Sequence, residues 1–309
     1  MKNKILLTAI TILISLTFFS CSNSKKPAGT KVIGVSLLTR GHIFYRDLED
    51  GLKTEAAKDG YQLIITSADF DLGKQISQVE DFISRKVDAI IVCPVDSKGV
   101  GSAIEEANKA NIPVFTADIA AEQGKVVSHI ASDNVAGGRL AGEYLAKALN
   151  GEGNVAIINQ PAITSVLDRV QGFKEAISKF PGIKIVADVN GYGVRDRSLQ
   201  AAADVLQSHP GLKGIFGIND DSALGALDAV KQFNRKGISI VGYDATPPAR
   251  KEILQGSALK ADVIQNPNLI GTTTIEKIKE YLDGKPVPRI VPVDVGIINR
   301  AALEKETAK

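Results

Sequence analysis

In the stretch "NIPVFTADIAAE", Asn111 to Glu122, an apolar run from Ile112 to Ala117 stops at Asp118. A carboxylate in that place can accept from two neighbouring hydroxyls at once. The pattern recurs along the chain. "GIFGI" (214–218) ends in Asn219, Asp220 and Asp221, "ISIVGY" (238–243) in Asp244, and "LKADVI" (259–264) in Gln265 and Asn266. The first apolar run, "VIGVSLL" (32–38), leads into "TRGHIFY", which holds His42, Phe44 and Tyr45. Asp and Asn also occupy helix N-caps irrespective of function. That reading suits Asp220, Asp221 and Ser222, where a helix starts. Asp118, Asn219 and Asp244 taken together point to a site that binds hydroxyls, with aromatic groups close by.

The elements that must position these residues show in the spacing. Other apolar runs are "QLIIT" (62–66), "AIIVCPV" (89–95), "VVSHIA" (126–131), "NVAIIN" (154–159) and "IKIVADV" (183–189). All are short and rich in Val and Ile, as strands buried on both faces are. Between them the period is helical. Leu48, Leu52 and Ala56 share one face of a segment that Gly60 stops, and Leu224, Leu227 and Val230 share another. Strand then helix, repeated, predicts an α/β architecture with parallel sheets covered by helices on both faces. About ten strands are too many for one ordinary compact unit, so the chain divides into two doubly wound lobes. Ligands of such sheets lie at the carboxyl ends of the strands, where the polar residues stand.

The N-terminus is of another kind. "MKNK" is basic, "ILLTAITILISLTFF" is apolar, and Ser20 is small, so residues 1–20 read as a signal peptide. Cys21 directly after Ser20 marks the lipoprotein type, with Cys21 as the lipidated first residue. Phe18 stands where a lipobox has Leu. A plain signal peptide and an uncleaved anchor are the alternatives. Residues 21–30, polar with Pro and Gly, form a flexible tether. Residues 1–20 hold Lys2 and Lys4 and no acid, so their removal takes the formal charge from +2 to 0. A near-neutral chain without a basic tract argues against nucleic acid as the main partner. The remaining thiol, Cys93, lies inside "AIIVCPV" and reads as a buried structural group that has no partner for an internal disulfide.

With "VVSHIASDNVAGGRLAGEYLAK" (126–147), "GIFGINDDSALGALDAV" (214–230) and "VGYDATP" (241–247), the chain resembles the periplasmic sugar-binding proteins of the ribose-binding type. These are type I solute-binding proteins of ABC transporters, and the resemblance runs from about Lys31 to Ile298. Lactose-repressor-like regulators use the same fold behind a helix-turn-helix, where this chain has an export signal. The resemblance implies the type I periplasmic binding protein fold: two similar doubly wound parallel-sheet lobes joined by a three-strand hinge. It puts the N-terminal lobe at 31–132 plus 265–294 and the C-terminal lobe at 133–264 plus 295–309. The crossings fall near Ser132–Asp133, Ile264–Gln265 and Asp294–Val295.

Residue roles follow from the same resemblance. Phe44 and Tyr45 would pack on a sugar ring, whose C–H faces suit a flat aromatic. His42 stands where ribose binders have Asn. Asp118, Arg169 of "DRVQGF", Asn219, Asp244 and Gln265 would hold hydroxyls through charge-assisted hydrogen bonds. Tyr192 in "NGYGV" takes the place of a third aromatic wall, one residue out of register. Ile119 departs from the pattern, because ribose binders have Arg there. "QPAITSVLDR" (160–169) is also about one residue shorter than in the ribose binder. The ligand implied is therefore a different pentose, a hexose or a polyol, or a deoxysugar with Ile119 against its methyl group.

The function implied is an extracytoplasmic solute-binding protein. It would capture a monosaccharide or related polyol between its lobes and deliver it to the permease of an ABC importer. It would act as a monomer in the periplasm or at the cell surface, held to the membrane by lipid at Cys21, without a cofactor or metal. The alternative is a sensor of a sugar or furanosyl signal that presents its closed form to a membrane signalling receptor. Catalysis is not expected. His129 lies in an apolar run, His209 precedes Pro210, and no G-x-S-x-G, H-E-x-x-H or Walker loop occurs.

Overall fold

The computed structural model describes residues 29–307. The expected signal peptide (1–20), Cys21 and most of the tether lie outside the described residues. The chain begins β1 (Val32–Leu37), α1 (Ile43–Lys58), β2 (Gln62–Ser67), α2 (Leu72–Ser84), β3 (Ala89–Val92), α3 (Gly101–Lys109), β4 (Val114–Ala117) and β5 (Ser128–Ser132). It continues α4 (Asn134–Ala148), β6 (Glu152–Asn159), α5 (Thr164–Ile177), β7 (Gly182–Asn190), α6 (Arg195–Ser208), β8 (Leu212–Gly217), α7 (Asp220–Gln232), β9 (Ser239–Asp244), α8 (Pro247–Leu254) and β10 (Leu259–Ile264). It ends α9 (Pro267–Leu282), β11 (Ile290–Val293), β12 (Gly296–Asn299) and α10 (Arg300–Thr307).

The strands form two six-stranded sheets, β11-β5-β4-β3-β1-β2 and β12-β10-β9-β8-β6-β7. Every pairing is parallel except β10 with β12. The apolar runs are the cause. Ile33, Val35 and Leu37 of β1 and Ile90 and Ile91 of β3 are fully buried, as are Ile215 and Phe216 of β8. Each such side chain contributes about 1.5–3 kcal/mol on burial. Leu48, Leu52 and Ala56 turn inward from α1, and Leu224, Leu227 and Val230 from α7.

The chain passes from one sheet's lobe to the other three times: after β5, between β10 and α9, and between β11 and β12. α9 returns to pack on α1. Pro292 is tolerated because β11 is an edge strand, where a missing donor costs little.

One packing detail bears on the site. α4 and α5 cross where Gly138 and Gly172 meet the opposite backbone. A Cβ on Gly138 would lie 2.0 Å from the Arg169 carbonyl oxygen, and one on Gly172 would lie 2.0 Å from that of Val135. Only glycine permits this approach, and it fixes the helix that carries Arg169. Cys93 is fully buried in the core. Burial lowers the pKa of His129 to about 4, so the ring is neutral, with Nδ1 2.9 Å from Thr116 Oγ1. Both keep structural roles. Among the described residues no helix is long and apolar enough to cross a membrane.

Candidate binding site

A cavity of about 420 Å³ opens between the two lobes at the carboxyl ends of the strands. His42, Phe44, Tyr45, Asp118, Arg169, Asn219, Asp244 and Gln265 all line it. Tyr192 does not. It stands in the loop after β7, 57% exposed, and borders a neighbouring cleft.

Asp118 follows β4. Its φ is 67°, and the Ile119 amide donates to the Ala117 carbonyl at 2.8 Å. This is a γ-turn, a conformation that non-glycine residues rarely adopt. The turn answers why an aliphatic residue follows the acid: it carries Ile119 inward, where it is buried and lines the cavity. Asp118 Oδ2 accepts from Tyr45 Oη at 2.7 Å, while Oδ1 is buried with no hydrogen-bond partner. Burial raises the Asp118 pKa to about 6, against the pull of Arg169 and Tyr45.

Asp244 mirrors it on the other lobe. It ends β9 with φ 118°. Oδ1 accepts from Gln265 Nε2 at 2.6 Å, and Oδ2 from the Asp220 amide at 3.4 Å. Burial, then the neighbouring Asp220, lifts its pKa to about 7. Gln265 Oε1 is a second buried acceptor without a partner. Behind Asp244, burial and Asp220 push the Asp262 carboxyl well above the usual range.

Arg169 lies on α5. Nε donates to Asn134 Oδ1 at 2.8 Å and Nη1 to the Ile218 carbonyl at 2.8 Å, and the guanidinium lies 3.9 Å above the Tyr243 ring. The stacking and bonds lock its orientation. Asn219 turns out to be the N-cap of α7. Oδ1 accepts from the Ser222 amide at 2.8 Å, and Nδ2 donates to the Gly193 carbonyl at 3.0 Å. It both caps a helix and lines the cavity. Asp220 caps nothing. It is the first residue of α7, and its carboxylate accepts from the Thr246 amide at 2.7 Å.

Two sets of contacts join the lobes. On one side His42 Nε2, at the N-cap of α1, lies 2.9 Å from Asp221 Oδ2 of α7. The approach lacks aligned hydrogen-bond geometry, and it is an ion pair when His42 is protonated. Burial pulls the His42 pKa down, but Asp221 outweighs it, and the net direction is up. On the other side the Ser97 amide donates to the Ala162 carbonyl at 3.2 Å, and the Thr164 amide to Ser97 Oγ at 3.0 Å. Thr164 Oγ1 also meets the Ala120 amide at 3.2 Å. The molecule is therefore closed around the cavity.

Sequence reasoning missed Gln160 after β6, Phe70 after β2, and the Thr164 clasp. The strand-end rule reaches Gln160 and Phe70. Nothing in the residue type marks Thr164. Among the described residues, no group of three or more His, Cys, Asp or Glu is placed to hold a metal ion. The lining offers hydrogen bonding, charge and aromatic contact.

Residues 33–286 match the family model of a periplasmic binding protein domain. The chain is 33% identical over 290 residues to the ribose import binding protein RbsB of Escherichia coli (strain K12), covering 94% of this chain and 97% of that protein. It is similar to the solved structure of an ABC transporter periplasmic solute binding protein from Actinobacillus succinogenes with bound D-allose. That match has a TM-score of 0.82 and 28% identity, over 89% of this chain and 100% of the other. It is also similar to the fructose-binding periplasmic domain of the hybrid two-component system BT1754, with a TM-score of 0.85 and 28% identity, over 90% and 93%.

Proposed function

Because this chain belongs to the periplasmic binding protein family, we propose that it is an extracytoplasmic solute-binding protein of an ABC importer, with a monosaccharide or related polyol as its cargo. The observation that carries this reading is the pair of strand-end carboxylates, Asp118 and Asp244, on opposite lobes of one closed cavity. Asp118 Oδ1 and Gln265 Oε1 are buried without partners. Such an acceptor costs about 1–3 kcal/mol until it is satisfied. A ligand hydroxyl satisfies it, so ligand and closure favour each other.

Phe44 and Tyr45 offer a ring face a flat apolar contact. Arg169 and Asn219 orient the ligand from the second lobe. Ile119 replaces a cation with an aliphatic wall and disfavours ribose, which the relatives' name would otherwise suggest. The lobes comprise 31–132 plus 265–294 and 133–264 plus 295–309, and hinge motion about the three crossings admits the ligand. Residues 1–20 direct export, and lipid on Cys21 holds the monomeric receptor near its permease. The chain binds and releases cargo without chemical change. A second reading, a sugar sensor for a membrane signalling receptor, draws on the likeness to the BT1754 domain.

The test is thermal melting of the purified protein against pentoses, hexoses, deoxysugars and polyols. A ligand at 100 times its Kd stabilises by about 2.7 kcal/mol. The expected result is a hit that Asp118→Ala abolishes. No shift with any of these compounds would refute the proposal.

A further inference from the structure

Beside the cavity lies a larger cleft, and Phe70 and Gln160 line both spaces. Phe70 and Val95 wall it from one lobe, and Pro161, Tyr192 and Arg197 from the other. We propose that this cleft is a second subsite, which takes the second ring of a disaccharide whose first ring occupies the cavity. The proposal rests on reading the cavity as a monosaccharide site.

The space is not a gap that further closure would remove. The lobes already touch at its border, where the carbonyl of Ala162, itself a lining residue, accepts from the Ser97 amide at 3.2 Å. They touch again at His42 and Asp221. With the lobes touching at both places, the cleft that Phe70 and Tyr192 line remains.

The two aromatic residues are presented at a cost. Phe70 is 36% and Tyr192 57% exposed, one from each lobe. Both have left-handed backbone, with φ 64° and 58°. Bulky side chains rarely take that conformation, and it persists where the surroundings enforce it. The Tyr192 amide donates to Asn190 Oδ1 at 2.8 Å, and the Phe70 amide to the Leu38 carbonyl at 3.2 Å. Phe70 also meets the His42 ring edge to face, with centroids 5.8 Å apart. Each contact fixes where an aromatic ring begins.

The lining suits a sugar ring. Val95, Pro161 and the two aromatics give apolar contact to C–H faces, and Arg197 is a donor for hydroxyls. The position of Tyr192 is what separates this from a one-ring site. An aromatic that walled the cavity would limit the ligand to one ring. Here it stands outside the cavity and borders the adjoining cleft.

Isothermal titration of the purified protein decides the matter. The probes are the free sugars that bind in the melting panel, and 1,4- and 1,6-linked disaccharides that carry the same sugar at either end. The expected result is a disaccharide that binds about tenfold or more tighter than its free sugar. Tyr192→Ala should remove that gain and Tyr192→Phe keep it. If free sugars bind and every disaccharide binds weaker, the second subsite is refuted and the monosaccharide reading stands. If Tyr192→Ala weakens the free sugar as much as the disaccharide, Tyr192 is an ordinary wall of a one-ring site, and the proposal fails. If Tyr192→Ala leaves all affinities unchanged, it fails likewise. If neither class binds, the underlying reading has failed.

Discussion

The contact between His42 and Asp221 should make closure pH-dependent. The two atoms lie 2.9 Å apart on opposite lobes, with side chains 15% and 38% exposed. In the open form the lobes are apart, and His42 takes an ordinary value near 6.5. In the closed form its pKa is higher, because Asp221, with smaller help from Asp244 and Asp118, outweighs burial. Arg46 and Arg195 border the same groove. A group whose pKa rises on closing favours closure fully below its open-form value. That contribution is lost as pH rises through the closed-form value. The pair therefore tightens ligand binding at pH 5.5 and does nothing at pH 8.5. Two unit charges at this separation attract by about 6 kcal/mol at an effective dielectric of 20. Desolvation of His42 and the solvent around Asp221 offset most of it, leaving about 0.5–1 kcal/mol. The upper figure is about fivefold in Kd. The assay is titration of the best ligand from the melting panel into wild type and Asp221→Asn. The wild type should bind about two- to fivefold tighter at pH 5.5 and equally at pH 8.5, with the difference shrinking in high salt. Titration of Asp118 and Asp244 is common to both proteins and cancels in the ratio. A ratio that is the same at both pH values would refute the argument.

Two further substitutions test the framework. Gly138→Ala puts a methyl group 2.0 Å from the Arg169 carbonyl, so α4 and α5 must part. The expected cost is about 1–3 kcal/mol of stability, read as a lower Tm, together with weaker ligand binding because Arg169 moves with α5. Asp244→Asn should stabilise the ligand-free protein at pH 8 by about 1–3 kcal/mol, since it removes a buried charge that has no ligand to offset it. The wild-type carboxyl has a folded pKa of about 7, above its unfolded value, so it supports folding at low pH and opposes it as pH rises through that range. The two proteins should then converge in Tm near pH 4, and a constant difference across pH would contradict the assignment.

Much of the fold was legible because buried parallel strands demand unbroken β-branched runs, and the first polar residue after each run lands at the ligand-facing edge. That logic reached Asp118, Asp244 and Gln265. It did not reach backbone conformation, which is set by tertiary contacts. The γ-turn at Asp118, which brings Ile119 to the cavity, needs the bond from the Asp118 amide to the Ile130 carbonyl of the next strand. Tyr192 left the cavity for a similar reason, because its loop is held by Asn190 and by Asn219 on the Gly193 carbonyl. The choice between helix cap and binding residue also dissolves at Asn219, which is both. Asp118 and Asp244 are the more telling case. Neither is the N-cap residue of a helix: α8 has Thr246 at its N-cap, and no helix follows β4 directly, although Asp244 Oδ2 also accepts from the first amide of α7 at 3.4 Å. Each carries a positive φ and a carboxyl pKa lifted to about 6 or 7, and Asp118 is buried besides. An apolar residue in either place would remove the lifted carboxyl but not the backbone cost, which only glycine relieves. A fold that retains them on facing lobes has spent stability where only a bound ligand can return it.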